Sequence, residues 1–212
     1  MFRKVLRSDA IHQKHCLACR LFGSLAMKGR ASVRDLFPFR DGATGEAAPG
    51  GENQRRANDL EGRPGVSIDR VTGSVKHGPF DLEMVPAGVS FWGEIALENY
   101  QAYQLGLLAQ AFDALNDGFA QLGSSKSRGL GVARIALEGL LHEQVPQPDG
   151  AACGVGRLAP EGERRAYGLL PDRALGSGGG VRRGLFDHYA LEETARARAF
   201  LEAGIAALGA LR

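Results

Sequence analysis

Apolar residues recur along this chain with two different periods, which predict a mixture of helices and strands. The strongest signal is an apolar stripe spaced three and four residues apart, the repeat of one helix face. Its members are Leu105, Leu108, Phe112, Leu115 and Phe119. A second helix is predicted over residues 189–208, whose apolar positions are mostly alanines. Such small side chains indicate that this helix packs closely against another element.

Turn signals and alternating segments predict several strands. Residues 31–37 alternate well enough for one strand, and 65–69 and 80–85 are predicted to pair around a turn at 72–73. A long strand is predicted over 89–98, before the helix, and another over 132–140, after it. Because helices and strands are mixed with much hairpin character, the pattern favours an α+β fold over a parallel doubly wound sheet.

Stretches rich in glycine and proline divide the chain. Residues 38–64 are predicted to form a long mobile insertion, since loops of that length are usually functional or disordered. Residues 146–184 are predicted to be a linker or surface loop. We therefore predict three parts: a domain over 1–145, a Gly/Pro-rich linker or loop over 146–184, and a C-terminal helix within 185–212.

Composition narrows the class of protein. The 212 residues are enough for one sizeable core, and the net charge of only +2 means that any basic surface is local. No apolar run approaches the roughly 20 residues that span a bilayer, so no membrane partner is expected. Three cysteines, an odd number, do not indicate a disulfide framework. The cytoplasm is the expected compartment, because no signal peptide is recognisable.

A glycine-rich loop lies between the predicted helix and the strand at 132–140. It consists of Gly123, Ser124, Ser125, Lys126, Ser127, Arg128, Gly129, Leu130 and Gly131. Glycines let the backbone bend and approach a partner closely. Successive backbone N–H groups in such a turn can form an anion-binding concavity, to which Lys126 and Arg128 add positive charge. The loop therefore has two interpretations, a site for a phosphodiester backbone or a solvated connector.

A second cluster near the N-terminus combines thiols with imidazoles. Cys16 and Cys19 form a C-x-x-C motif that could give two thiolates to a structural zinc, and His12 or His15 could supply a third ligand. Cys153 is a distant candidate for the fourth position. The alternatives are a pair of small buried thiols beside solvated histidines, or a redox-active C-x-x-C, which should stand at the start of a helix.

Several short segments, in their order and spacing, resemble the RAMP superfamily, the RNA-binding proteins of CRISPR–Cas effector complexes. The resemblance is strongest to the backbone subunits of type III complexes. It covers roughly residues 16–135 and is carried by 16–24, 33–35, 65–73, 80–88 and the glycine-rich loop at 123–131. The tail after about residue 145 matches no pattern of that family.

The resemblance implies a modified ferredoxin-like (RRM-type) fold with long loop insertions and a C-terminal helix. It implies that the glycine-rich loop contacts RNA phosphates and that Arg70 lies near the RNA or a thumb-like hairpin. A local ion pair between Asp69 and Arg70 is the structural alternative for that position. The implied partners are the guide RNA, the target RNA and other effector subunits.

The chain departs from the family in one respect that bears on catalysis. Family members usually begin with a strand and a motif that opens the first helix, where target-cleaving subunits carry their catalytic Asp. No equivalent segment is found here, so we expect a non-catalytic subunit with an exposed strand edge that a partner covers. The competing function is a metal-dependent endoribonuclease that cleaves target RNA, for which the available acids are Asp9, Asp35 and Asp69.

The sequence motifs disfavour two further enzyme classes, P-loop nucleotide-binding enzymes and serine hydrolases. In the P-loop pattern G-x-x-x-x-G-K-[ST] the lysine follows the second glycine, whereas Lys126 precedes the second glycine cluster. The loop also follows a helix and precedes a strand, the reverse of a P-loop. No G-x-S-x-G motif of a serine hydrolase is present.

Overall fold

The computed structural model describes residues 7–170, 172–177 and 179–209, and it confirms the α+β class. Its helices are α1 (Ser8–Lys14), α2 (Leu17–Phe22), α3 (Glu52–Asn58), α4 (Ala102–Asn116), α5 (Val155–Leu158), α6 (Glu161–Tyr167) and α7 (Thr194–Gly209). Its strands are β1 (Ala31–Val33), β2 (Glu61–Ile68), β3 (Val75–Met84), β4 (Ile95–Leu97), β5 (Leu140–Gln144), β6 (Ala151–Ala152), β7 (Gly176–Ser177), β8 (Val181–Arg183) and β9 (Phe186–Leu191). None of the described helices is both long and apolar enough to cross a bilayer.

The chain divides into two compact units. One comprises Met1–Ala31 together with Leu97–Arg212, and the other is the intervening segment Ser32–Ala96. The stretch 146–184, for which a linker or surface loop was predicted, is folded within the first unit. It contains β6, α5, α6 and β7, and the side chains of Ala151, Ala152 and Cys153 are buried there. Within this stretch Gly154 and Gly156 are packed so closely that neighbouring atoms leave no room for a Cβ.

The core of the first unit is the contact between α4 and α7. Ala109 and Ala197 are completely buried between them, which confirms that the Ala-rich helix packs closely on another element. An ion pair also joins the two helices, since the Arg198 guanidinium contacts both carboxylate oxygens of Asp113 at 2.6 and 2.7 Å. The helix begins later than expected, at Thr194, because residues 186–191 pair as strand β9.

The ends of α4 are set by specific hydrogen bonds. At its start Gln101 and Gln104 form a capping box, in which each side chain bonds the other residue's backbone. The helix ends at Asn116, Gly118 adopts a positive φ of 78°, and the N–H of Ala120 donates to the carbonyl of Ala114. The predicted apolar stripe therefore stops before Phe119, which lies outside the helix.

A three-stranded antiparallel sheet in the first unit has the order β5-β9-β8. Its strand β5 begins at Leu140, where the strand predicted over 132–140 was expected to end. Residues 132–139 are extended but pair with no strand among the described residues. The alternating pattern that suggested a strand is real, since 131–137 alternate between half-buried and exposed positions, but none of the described strands pairs with this segment to form a ladder.

The second unit is dominated by the hairpin of β2 and β3. The two strands are antiparallel, with Glu61 opposite Met84 and Gly65 opposite Phe80, which confirms the hairpin predicted around 72–73. A short antiparallel pairing joins β4 to β1, so the strands expected over 31–37 and 89–98 are only three residues long. Within 38–64 the chain forms α3, whose Asn53 side chain donates to the carbonyls of Pro38 and Ser90.

Candidate nucleic-acid interface

The glycine-rich loop at 123–131 is a closed turn that projects from the first unit. Its neck is joined by a 2.8 Å hydrogen bond from the N–H of Leu122 to the carbonyl of Gly131. Between these residues the chain forms a 3-10 turn, Lys126–Arg128, in which the N–H of Arg128 donates to Ser125 and that of Gly129 to Lys126. The loop is thus a defined structure with its own hydrogen bonds.

Two glycines at the C-terminal end of the loop have a positive φ. Gly129 ends the 3-10 turn in the left-handed region, with φ of 76°. Gly131 has φ of 87°, and a Cβ at this position would overlap the carbonyl oxygen of Leu122, the same residue whose N–H closes the neck. A side chain at Gly131 would therefore open the loop at the point where it is closed.

The loop presents unengaged donors and positive charge together. Among the described residues, the backbone N–H groups of the four consecutive residues Ser124–Ser127 donate no hydrogen bond. The side chains of Lys126 and Arg128 are both exposed. Consecutive N–H groups without acceptors, next to two cations, are the features that an anion such as a phosphate recognises.

The chain leaves the loop as an extended segment held on one side. The side-chain amide of Asn116, the last residue of α4, accepts a 2.7 Å hydrogen bond from the N–H of Ile135 and donates to its carbonyl at 3.1 Å. In an extended chain the backbone groups of alternate residues point in opposite directions. Those of Val132, Arg134 and Ala136 therefore point away from Asn116, and within the described chain they make no hydrogen bond.

Arg70 belongs to the second unit, at the turn between β2 and β3, and its side chain is exposed. The turn is fixed by Asp69, whose carboxylate accepts hydrogen bonds from the N–H groups of Val71 at 2.8 Å and Thr72 at 3.1 Å. These two bonds lower the pKa of Asp69. Among the described residues no ion pair links Asp69 to Arg70, so backbone hydrogen bonds stabilise the turn and the ion pair considered as the structural alternative is not formed.

The end of this hairpin is apolar as well as basic. Val71 is 94% exposed at the turn, and Ile68 and Val75 are exposed on the two strands below it. The register is irregular in the same region, between Gly65 and Ile68. An exposed apolar tip on a long antiparallel ribbon is suited to insert against another apolar or aromatic surface.

Four of the predicted zinc ligands, His12, His15, Cys16 and Cys19, lie in or beside the first two helices, but the two histidine rings bond to other groups. Both ring nitrogens of His15 are engaged, Nδ1 with the carbonyl of Ile11 at 2.6 Å and Nε2 with the Ser24 hydroxyl at 2.7 Å. His12 is buried, and its Nδ1 bonds the carbonyl of Tyr167 at 2.9 Å. Within the described residues no three His, Cys, Asp or Glu side chains form a metal-binding group. The zinc site stays a prediction.

The two thiols stand at the start of a helix. Cys16 is the N-cap of α2, and its sulfur accepts a hydrogen bond from the N–H of Cys19. This bond, together with a hydrogen bond between the two thiols, lowers the pKa of Cys16. The hydrogen bond between the thiols raises the pKa of Cys19. Cys16 is exposed and Cys19 half-buried, so the alternative of a pair of buried thiols is wrong for this pair. Cys153 alone is buried.

The acids considered for metal-dependent cleavage are held by local contacts or exposed. The Asp9 carboxylate accepts a hydrogen bond from the N–H of Ala10 and contacts Arg7 at 3.4 Å, whereas Asp69 is bound within its turn. Asp35 is exposed in the second unit. Within the described residues, none of the three belongs to a group of three or more His, Cys, Asp or Glu side chains that could hold a divalent ion.

Sequence reasoning missed a buried polar network in the first unit. The Tyr100 hydroxyl bonds Nδ1 of His142 at 2.8 Å, and Nε2 of His142 bonds the side-chain amide oxygen Oε1 of Gln144 at 2.9 Å. That oxygen also accepts from the N–H of Cys153, so His142 donates from Nε2 and accepts the Tyr100 proton at Nδ1. Burial lowers the pKa of His142, which keeps the ring neutral. No single short motif contains this network, because Tyr100 lies just before α4, His142 and Gln144 lie on β5, and Cys153 follows β6.

Asp172 is a second buried group without a sequence signal. One of its oxygens accepts a 3.0 Å hydrogen bond from the N–H of Gly156, while Oδ1 is buried with no partner among the described residues. Gly154 and Gly156 lie so close to the carboxylate that a Cβ on either would collide with it. Burial raises the pKa of Asp172 to about 6.

Comparison with known proteins gives one finding. A search of curated proteins found no match to this chain. The family model of the RAMP superfamily matches residues 1–134, which is more than half of the 212 residues and includes the glycine-rich loop and the β2–β3 hairpin. The chain therefore belongs to the RAMP superfamily, whose members serve CRISPR systems as RNA-binding proteins.

Proposed function

We propose that this protein is a guide-RNA backbone-binding subunit of a type III CRISPR effector complex and does not itself cleave RNA. The observation that carries the proposal is the glycine-rich loop, where the N–H groups of Ser124–Ser127 find no acceptor among the described residues and stand beside the exposed Lys126 and Arg128. Family membership supports an RNA ligand, and the loop supplies donors and charge for its phosphates.

Contacts of this kind suit a subunit that must accept any guide. Hydrogen bonds and charges directed at phosphates give affinity and position without reading bases. The net charge of the whole chain is only +2, so general attraction contributes little and the local cations of the loop matter more. Lys126 acts as a point charge, whereas the planar Arg128 guanidinium can contact two phosphate oxygens at once.

The β2–β3 hairpin is proposed as the thumb-like element that the resemblance implies. Its exposed Val71 would contact a displaced base, and Arg70 would neutralise a neighbouring phosphate. The hydrogen bonds from Val71 and Thr72 to the Asp69 carboxylate support this role, because they hold the turn in one conformation before RNA binds.

Assembly with other subunits is proposed to use the extended segment 132–137. On the side opposite Asn116 the backbone groups of Val132, Arg134 and Ala136 make no hydrogen bond to the described part of the chain, and such an edge is a template for strand addition. Addition of a strand from a neighbouring subunit would also cover the exposed Val132 side chain. A neighbouring subunit that contributes a strand would complete the ladder that 132–139 lacks.

The proposal is tested by binding of a short single-stranded RNA, measured by fluorescence anisotropy over a range of salt concentrations. The double variant Lys126→Ala/Arg128→Ala is expected to bind any RNA sequence more weakly. Its slope of log K against log salt should fall by about 1.4, since each phosphate contact on a single strand contributes about 0.7.

The control removes two positive charges elsewhere on the same unit. Arg165 on α6 and Arg173 are both exposed, so Arg165→Ala/Arg173→Ala changes the net charge equally. This control should keep the affinity and slope of the parent. Equal weakening by both double variants would indicate general electrostatic attraction and contradict a loop-specific site. Wild-type affinity in Lys126→Ala/Arg128→Ala would also contradict a loop-specific site.

A further inference from the structure

An aromatic side chain stands exposed beside the glycine-rich loop. Phe119 is 88% exposed, although the apolar periodicity predicted it to be a core residue of α4. Leu122, whose N–H closes the neck of the loop, is 51% exposed, and Val132, the residue after Gly131, is 67% exposed. These three side chains, called here the apolar rim, border a loop that carries two exposed cations.

The exposure of Phe119 follows from the backbone on both sides of it. Before Phe119, Gly118 has a positive φ and turns the chain away from α4. After Phe119, the N–H of Ala120 donates a 2.8 Å hydrogen bond to the carbonyl of Ala114. Phe119 lies between these two fixed residues and cannot return to the helix face. An aromatic ring held in water in this way loses the stabilisation that burial would give it, unless a ligand covers it.

Phe119 is also within reach of a nucleotide held by the loop. It lies three positions before Leu122 at the neck, and a fully extended chain of that length spans at most about 10 Å. A base attached to a phosphate at the loop can therefore meet the ring. The cations next to the apolar rim, Lys126 within the loop and the exposed Arg134 beyond Val132, favour a polyanion over an apolar peptide.

We propose that Phe119 stacks against an unstacked base of the single-stranded RNA whose phosphates the glycine-rich loop binds. The inference rests on the proposed function and adds a binding residue to it. Every base has a flat aromatic face, so a single phenyl ring can hold a base of any identity. The interaction therefore adds affinity without sequence preference and, unlike the phosphate contacts, does not depend on salt.

The first test compares substitutions of Phe119 in the same RNA-binding measurement. Phe119→Ala should weaken binding by at least about 5-fold, the lower end for one stacked base, without changing the salt slope. Phe119→Trp should retain or increase the affinity, whereas Phe119→Leu should resemble the alanine variant, because leucine is apolar but cannot stack. The thermal unfolding of all three should match the parent, since the side chain is exposed.

Two further measurements report the contact directly. In Phe119→Trp the added indole should be quenched by RNA, with the parent, which has Trp92 alone, as the blank. An RNA with abasic positions throughout should bind the parent and Phe119→Ala equally. Unchanged affinity of Phe119→Ala with no quenching would overturn the inference.

Failure of the inference can be told apart from failure of the proposed function. If Phe119 variants bind normally while Lys126→Ala/Arg128→Ala binds weakly, the loop holds phosphates and the ring takes no part. If Phe119→Ala loses only its association with a neighbouring subunit, the apolar rim is a protein interface and stacking is wrong. If the parent itself binds no RNA, both proposals fail together.

Discussion

Gly106 of α4 lies directly against the backbone carbonyl of Gly204 in α7, so closely that a Cβ on either residue would overlap the other helix. This approach explains why the C-terminal helix is built from small residues. With Ala109 and Ala197 completely buried nearby, the two backbones meet at a distance that no larger side chain allows.

The first prediction concerns this helix contact. Gly106→Ala or Gly204→Ala should lower the free energy of unfolding by about 1–3 kcal/mol, because the added methyl meets backbone that must shift. Urea denaturation measures the change. Gly162→Ala on α6 is the matched control, since nothing lies within 4 Å of its Cβ position, and it should be neutral or slightly stabilising. Equal stability of all three variants would contradict the close packing.

The second prediction concerns the neck of the glycine-rich loop. Gly131→Ala leaves every charge in place, yet its Cβ collides with the Leu122 carbonyl and its φ of 87° is strained for alanine. We expect RNA affinity to fall with little change in the salt slope. Gly129→Asn serves as the control, because asparagine tolerates the left-handed conformation and the space around Gly129 is open. Wild-type affinity in Gly131→Ala would show that binding does not need the closed loop.

The sequence predicts an element of this fold well where the residues that form the element also specify it. The hairpin around 72–73 and the glycine-rich loop were predicted because their turns are specified by the residues that form them. The end of α4 was placed too late, since periodicity continues through Phe119 while Gly118 turns the backbone away. The segment 132–139 has strand periodicity, but pairing depends on a neighbouring strand that its own residues do not specify.

The buried groups were missed for a related reason. His142 and Gln144 are alternate residues of β5, Tyr100 lies just before α4, and no short motif contains all three. The stretch 146–184 looked like a linker because of its glycines. In the fold Gly154 and Gly156 are required where the backbone passes Asp172 without room for a side chain.

The third prediction follows from the raised pKa of Asp172. The pKa of Asp172 is about 6 in the folded protein, above the ordinary value of 3.8. The neutral carboxyl group therefore contributes its full stabilisation below pH 3.8, and this stabilisation is lost as the pH rises to about 6. Above pH 6 the buried charge costs up to about 3 kcal/mol, at about 1.36 kcal/mol per pH unit between the two values. Asp172→Asn should therefore be more stable than the parent at pH 8 and nearly equal to it at pH 4.

Urea denaturation at a series of pH values measures this difference. His142 acts in the opposite direction, because its lowered pKa makes the fold lose stability as the pH falls below 6.5. That term is shared by the parent and the variant, so it cancels when the two are compared at each pH. Asp117→Asn is the control at an exposed site. A pH-independent difference between Asp172→Asn and the parent would contradict the assignment.

The fourth prediction separates the two sides of the segment 132–137. The amide of Ile135, bound to the Asn116 side chain, should exchange its hydrogen slowly, whereas those of Val132, Arg134 and Ala136 should exchange rapidly in the isolated chain. Addition of a partner strand should protect these three amides and leave Ile135 nearly unchanged, because the ladder forms on the side opposite Asn116. Asn116→Ala should accelerate exchange at Ile135 alone. Fast exchange at all four amides in the assembled complex would mean that partners bind elsewhere. Slow exchange at all four amides in the isolated chain would mean that another part of the chain already pairs with this edge.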